Sequence, residues 1–574
     1  MNKYFLNELD RLKEISREFS QANPTLAPLL SHPSADPDVE RILEGVAFLT
    51  AGIRQKIDDD FPEFSQGLLN QIFPHYLRPI PSATIMEFKP TPILKNTLNT
   101  PAGTYVDSVE VDGVQCRYKT TYDTDVSPVK ITAVRKSETS TGRRAIDLTL
   151  TLTGMTLAAW KPDSLRLHIG GDYQGAVDTF FILNRFLDAI ALIDAQGNEN
   201  AADAIVLTPV GFDENFKLLD YPSNSFPAYR LIQEYFLLKE KFLFLDIKGL
   251  DKYLDQIDGN SFSLRFYLKE LPIQIPKLST ARFVLHATPA INLFKHEAES
   301  FLNDYTRSEY LLRPMRNTSN KYHIYTIDKV IGKNRKLARK TDYVAMGLFN
   351  PDENTSPVYQ IYTRAGESGE VSSYISFSYP RDYPLGNKES IQVELTCTNG
   401  EHPTKLKAGD ITKKTSSTSE LIDFTNIIAP SENQEVPTGQ SVLWRLLSHL
   451  AINYLSLADP DNLKSLLELY MFSGHSGSKQ EIANRKRING ISAVSVMACD
   501  RLVNGIPIRG QEVQVTVDSA NFTSVGDMYL FGMLLDRLMG SFASLNCFTE
   551  FSLIDSNTDE VYRWPIRAGD RPLI

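Results

Sequence analysis

Residues 108–119 read SVEVDGVQCRYK. Val109 and Val111 alternate with Ser108 and Glu110, and beyond Asp112-Gly113 the apolar Val114, Cys116 and Tyr118 alternate with Gln115, Arg117 and Lys119. A period of two places the apolar side chains of each run on one face of a strand. Asp-Gly suits a type I′ turn, whose two central residues need positive φ. The stretch therefore predicts a β-hairpin. It decides the fold class because the chain before it keeps a different period.

Upstream, residues 1–78 read as helical. Phe5, Leu9, Leu12, Ile15 and Phe19 recur at steps of three or four, a narrow stripe on one helix. Asn23-Pro24 and His32-Pro33 interrupt it, and Asp36-Pro37-Asp38 starts a second helix with an N-cap and an acid at its positive end. Val39, Ile42, Leu43, Val46, Leu49, Ile53 and Ile57 continue an apolar stripe into KIDDDFPEF (56–64). Pro62 disfavours helical geometry at Phe61, so that helix stops near Asp59 or Asp60. Asp60 and Glu63 then have capping-box spacing for a third helix along Phe64, Leu68 and Ile72. Asp58 and Asp59 oppose the dipole of the helix they end, at roughly a few tenths of a kcal/mol each, which a basic side chain from a neighbour would relieve. The period changes to two after FPHYLRPIPS (73–82).

Downstream of the hairpin, IDLTLTL (146–152) is a strand. LRLHIGG (165–171) and AVDTFFILNRFLDAIAL (176–192) read as a strand, a glycine turn and a helix. YRLIQEYFLLKEKFLFLDI (229–247) is helical and then extended. Strands dominate from about residue 320 to 400, including SYISFSY (373–379) and IQVELTC (391–397), and KKTSSTSE (413–420) reads as a flexible loop. A helical pair, QSVLWRLLSHLAINYLSL (440–457) and DNLKSLLELYMF (461–472), precedes the strand QEVQVTV (511–517), the helix YLFGMLLDRLMGSFASL (529–545) and the strand FTEFSLI (548–554). The expected architecture is multi-domain α+β: a helical module over 1–80, a β-rich α+β region over 81–320, a mainly antiparallel β domain over 321–438, and a C-terminal α+β domain over 439–574.

At 574 residues the chain exceeds one core. A net charge of -10 argues against a nucleic-acid binder, which concentrates Lys and Arg on one face. NRKR (484–487) reads as a solvated loop rather than a phosphate site. The N-terminus has no uninterrupted apolar segment of the signal-peptide kind. The richest apolar run, FFILNRFLDAIALIDA (180–195), is broken by Asn184, Arg185 and Asp188, so no direct membrane insertion is expected. Four separated cysteines without a C-x-x-C pair fit reduced thiols and offer no zinc site.

No catalytic, cofactor-binding or metal residue is assigned. Asp58, Asp59, Asp60 and Glu63 are acidic enough for Ca²⁺ or Mg²⁺, but consecutive helical residues point about 100° apart and cannot share one ligand. A capped corner or contact surface is the better reading. Titration with Mg²⁺, Ca²⁺ and Mn²⁺ should accordingly show no site tighter than about millimolar, and a micromolar site lost in Asp59→Ala would overturn this. GHSGS (474–478) lacks the final glycine and the preceding strand of a nucleophile elbow. GGDYQG (170–175) is a turn rather than a phosphate loop, and HEAES (296–300) lacks a second histidine. Arg445, His449 and Asn453, at i, i+4 and i+8, form a polar stripe that reads as a solvated or inter-subunit face.

Whole blocks nevertheless resemble a known family. NELDRLKEISREFSQANPTLAPLL and ADPDVERILEGVAFLTAGIRQKIDDDFPEFSQGLLNQIFPHYLRPIPS are followed, in order, by TPAGTYVDSVEVDGVQCRYKTT, FPAYRLIQEYFLLKEKFLFLDI, TPAINLFKHEAES, LWRLLSHLAINYLSL, IPIRGQEVQVTVDSANF, LFGMLLDRLMGSFASLNCFTEF and RWPIRAGDRPLI. Together they resemble the TssF (VasA/ImpG) family of type VI secretion baseplate subunits. In AES (298–300) Ser300 departs from that pattern, standing where the proline of Ala-Glu-Pro is expected, and leaves the following segment less rigid. The resemblance implies a structural subunit without enzymatic activity or cofactor, similar to contractile-phage baseplate wedge proteins. It implies partners similar to TssG and TssK, a second copy of the chain, and a ring around a spike hub with sheath-linking subunits, assembled in the cytoplasm at the inner-membrane face. Alternatives are a wedge subunit of a phage-like or extracellular contractile particle, or a metal-dependent hydrolase. The candidate interface comprises Phe5, Leu9, Leu12, Ile15 and Phe19, with Asp58, Asp59, Arg445, His449 and Asn453.

Overall fold

Strand Ala83–Pro90 lies between two cores. Ala83 and Ile85 pack into the largest apolar cluster, whereas Met86 and Phe88 pack into a smaller one with Val106, Cys116, Tyr118 and Ile411. Burial on both faces explains why ATIMEF is nearly continuous in apolar residues instead of alternating. The computed structural model describes residues 2–22, 38, 41–52, 74–139, 142–221, 225–257, 259–316, 321–334, 339–346, 356–365, 371–381, 383, 388–434, 456–471, 479–503 and 506–569.

Around that strand a six-stranded antiparallel sheet runs in the order Ile411–Lys413, Tyr105–Val111, Val114–Thr120, Ala287–Ile291, Ala83–Pro90, Ile422–Asn426. The expected hairpin forms its first half. Asp112 (φ 52°) and Gly113 (φ 73°) both take positive φ, as the type I′ turn requires. Buried Asn426 ties the two ends of the sheet together: its Oδ1 accepts from the Ile411 N–H at 2.9 Å, and its Nδ2 donates to Lys407 O at 2.9 Å.

The main cluster is built from a five-stranded sheet (Glu199–Ala201, Leu187–Ile193, Ser261–Leu268, Arg144–Leu152, Val129–Glu138) and a four-stranded sheet (Val206–Val210, Phe244–Lys248, Ser164–Ile169, Phe283–Leu285). Helices Tyr173–Arg185 and Pro227–Leu237 pack with them. The expectation of one helix over 176–192 is corrected. The helix ends at Arg185, and Leu187–Ile193 is a strand paired with Ser261–Leu268. An apolar run can serve either period, and here a distant strand supplies the edge that decides. The GGDYQG turn stands as read. Asp172 caps the helix by accepting from the Gly175 N–H at 2.8 Å, and a Cβ at Gly175 would lie 2.4 Å from the Arg282 guanidinium.

The described residues of 294–398 form an eight-stranded, almost wholly antiparallel sheet with its own core of Val330, Ile375, Ile391, Val393 and Leu395. The stretch 413–420, whose composition predicts a flexible loop, is a loop tied to its neighbour. Thr415 Oγ1 donates to Tyr105 O at 2.7 Å and Ser417 Oγ accepts from the Tyr105 N–H at 2.9 Å, so its hydroxyls bind it to the neighbouring strand.

The C-terminal part has helices Pro460–Leu469 and Lys479–Asn489, the hairpin Ile491–Val503 and Ile506–Val517, helix Val525–Ser541 and strand Phe548–Asp555. Strand Phe548–Asp555 runs parallel to Ile506–Val517, and the intervening helix packs against both Tyr173–Arg185 and Pro227–Leu237. At the other end of the chain, Asn2–Ala22 is helical, as are residues 41–52.

Candidate functional site

Two kinds of chemistry stand out: ionised groups buried in the core, and large apolar side chains left on the surface. Two sets of the buried groups are engaged among themselves. Arg487, fully buried with Asp527, donates from Nε and NH2 to Asp527 Oδ2 at 2.9 Å each. Tyr173 OH donates to Asp527 Oδ1 at 2.6 Å, the Thr523 N–H to Oδ2 at 3.1 Å, and Arg487 NH1 to Asn484 Oδ1 at 3.2 Å. Burial works against ionisation of Asp527, but the Arg487 charge and these donors hold its carboxyl below the usual range. The reading of NRKR as a solvated loop is thereby corrected. It lies on a helix, and Arg487 is an internal cation.

A second group joins the helix Pro227–Leu237 to its surroundings. Glu234 accepts from the Leu218 and Leu219 N–H groups at 2.7 and 2.9 Å, from Arg230, and from Lys241. Lys241 also donates to Gly211 O at 2.7 Å. Burial, opposed by Glu234, pushes the Lys241 ammonium down to about 8. A third group is aromatic. His75 stacks on Tyr221 at 4.4 Å between centroids, bonds Ser225 Oγ at 2.9 Å, and bonds Tyr470 OH at 3.0 Å across 395 residues of sequence. These networks fix helices and loops to one another; each carboxylate faces a cation or an N–H donor. Among the described residues, no group of three or more His, Cys, Asp or Glu is placed to hold a metal.

The surface of the N-terminal helices is different. On the helix Asn2–Ala22, Phe5, Leu9 and Leu12 are half-buried and Ile15 is 50% exposed, with Leu6 exposed beside them. Over residues 41–52 the small Ala47 and Ala51 are buried, whereas Ile42 is 65%, Leu49 68% and Phe48 53% exposed. Large apolar side chains outward and alanines inward invert the usual amphipathic arrangement. Grouped exposed apolar residues of this kind make the N-terminal helices a candidate interaction surface. The stripe Phe5, Leu9, Leu12 and Ile15 lies on one helix with Phe19, whose side chain is outside the described residues, as are Asp58, Asp59, Arg445, His449 and Asn453. Sequence reasoning missed Leu6 and Phe48 because each falls beside the periodic stripe. It missed the Arg487–Asp527 pair because a buried polar stripe leaves no hydrophobic period.

Comparison with known proteins places this architecture. A family model described as "Type VI secretion system, TssF" matches residues 1–571. The chain is 26% identical to the Type VI secretion system component TssF1 of Pseudomonas aeruginosa PAO1, with 99% of each chain covered. It is similar to a chain of a cryo-electron-microscopy structure of the type VI secretion system TssK-TssF-TssG baseplate subcomplex, with TM-score 0.77 and 27% identity over 93% of this chain and 99% of that one. It shares its fold with a chain of the type VI secretion baseplate complex, with TM-score 0.62 and 23% identity over the full length of both.

Proposed function

We propose, from the premise that this chain belongs to the TssF family of type VI secretion system proteins, that it holds neighbouring baseplate subunits together by contact and not by catalysis. It is a baseplate component. The observation that carries the reading of its partners is the near-complete match to a chain of the TssK-TssF-TssG subcomplex, which supports TssG-like and TssK-like neighbours. The same reading extends to a second copy of the chain, the spike hub and the sheath-linking subunits. A non-catalytic role is supported by the buried Arg487–Asp527 and Glu234–Lys241 pairs, whose charges are engaged with one another. Among the described residues no helix is long and apolar enough to cross a membrane. We read the subunit as cytoplasmic, reaching the inner-membrane face only through the assembly.

The interface we assign is the N-terminal helical stripe Phe5, Leu9, Leu12, Ile15 and Phe19, together with Asp58, Asp59, Arg445, His449 and Asn453, which lie outside the described residues. Ile42, Phe48 and Leu49 join it because their exposure in the single chain calls for a partner helix. Leu9→Ala with Leu12→Ala should reduce co-purification with a co-expressed TssG-like subunit by about tenfold or more, since truncating a buried leucine costs about 2–5 kcal/mol. Capture at the unmutated level would show that the stripe is not the contact. Failure of the unmutated chain to retain either partner would overturn the proposed function itself.

A further inference from the structure

The eight-stranded sheet is an insertion. The chain leaves the six-stranded sheet after strand Ala287–Ile291 and comes back after strand Glu389–Thr398. Departure and return meet at two buried asparagines, Asn292 and Asn399. Asn292 Nδ2 donates to Asn399 Oδ1 at 2.7 Å, and the Asn399 N–H donates to Asn292 Oδ1 at 2.7 Å. Both also hold Arg117 on the adjacent strand Val114–Thr120. The Arg117 N–H donates to Asn399 Oδ1 at 3.1 Å, and Arg117 O accepts from Asn292 Nδ2 at 2.9 Å. The Asn292 N–H donates to Ser82 O at 2.8 Å, which joins the departing strand to the start of Ala83–Pro90.

Such a crossing is the opposite of a hinge. A hinge absorbs large φ/ψ changes and needs few cross-bonds. Here rotation of the module would break a closed set of buried amide bonds and leave buried donors and acceptors unpaired, which is costly. Contacts on either side brace the crossing. Arg78 of the body lies over the Tyr325 ring of the module at 5.7 Å, and Lys321 Nζ of the module donates to Gly113 O of the body hairpin at 3.2 Å. Tyr105 of the body packs against the module's own core.

We propose that the 294–398 module is a rigid outrigger, locked to the body by the Asn292–Asn399 clamp, so that the free subunit presents it at a preset angle before any partner binds. Double electron–electron resonance on the full chain tests this, with spin-labelled non-canonical residues at exposed Lys252 in the body and Lys340 in the module. The otherwise unmutated chain should give one narrow distance distribution. Asn292→Ala with Asn399→Ala should broaden it about twofold or more, as expected when an interdomain crossing loses its cross-bonds. A broad distribution in the unmutated chain overturns the proposal, and so does a folded double variant as narrow as the parent. The parent measurement decides even where the double variant does not fold. In that case Asn292→Ala alone should still accelerate amide exchange at Asn399, and unchanged exchange there would count against the clamp.

Discussion

Asp527→Ala should destabilise the packing of the C-terminal part on the body by about 3–5 kcal/mol, because it leaves the buried Arg487 guanidinium without its counter-charge. The pair sits where helix Lys479–Asn489, helix Val525–Ser541 and Tyr173 at the start of Tyr173–Arg185 meet. Its loss is therefore a loss at a junction and should be read out locally. Hydrogen exchange by mass spectrometry should show peptides across 479–541 opening first, while the eight-stranded sheet keeps its protection. The double variant Asp527→Leu with Arg487→Met should recover most of the stability, since apolar replacement of a complete buried pair is often neutral or stabilising. Equal exchange in Asp527→Ala and in the parent would show that the pair is not what holds the junction.

Mild acid should weaken the fold through two buried histidines. His168 packs its ring on Phe244 at 4.5 Å between centroids and has Nε2 3.2 Å from Glu240 O. His286 accepts from the Ser127 N–H at 3.2 Å through Nε2. Burial pushes both imidazoles down to about 4, only partly opposed by a backbone hydrogen bond in each case. In the unfolded chain they return to 6.5. Below pH 6.5 the unfolded chain therefore takes up protons that the folded chain refuses. Stability is complete above that pH, falls as pH drops toward about 4, and has no further loss to give once both states are protonated. The slope is about 1.4 kcal/mol per pH unit for each histidine, some 3 kcal/mol each across the window. Denaturant unfolding between pH 7.5 and 5 measures it. His168→Phe fills the same space beside Phe244 without titrating and should remove about one histidine's share of the slope. An unchanged slope would place the proton uptake elsewhere.

The hairpin at 108–119 was legible because alternation and Asp-Gly are local signals that need no partner. So were the helices Asn2–Ala22 and Val525–Ser541 and the strand Phe548–Asp555. Leu187–Ile193 was not, because its state depends on a strand beginning at Ser261. Arg487 was not, although Glu481, Asn484, Arg487 and Ile488 are buried at helical spacing; three of those four are polar and resemble a solvated face. The serines and threonines of 413–420 misled for a related reason. The hydroxyls that make a linker soluble can equally bind a strand backbone. For the candidate site, the spacing of Phe5, Leu9, Leu12 and Ile15 on the first helix was legible in the sequence. The outward apolar residues over 41–52 emerged only once Ala47 and Ala51 were seen to take the inner side.

Strand Ala83–Pro90 acquires its outer neighbour, Ile422–Asn426, only after more than three hundred further residues have been made, with Thr84 Oγ1 bonding Ile428 O across 344 positions. At bacterial translation rates of about 5–20 residues per second, that interval is roughly 20–70 s. Throughout it the growing chain carries an open strand edge beside Met86 and Phe88, the kind of surface that recruits wrong partners. The six-stranded sheet can close only late in synthesis, after the whole outrigger has emerged from the ribosome. Nascent chains stalled before residue 420 should therefore be held by chaperones, whereas the completed chain should be released.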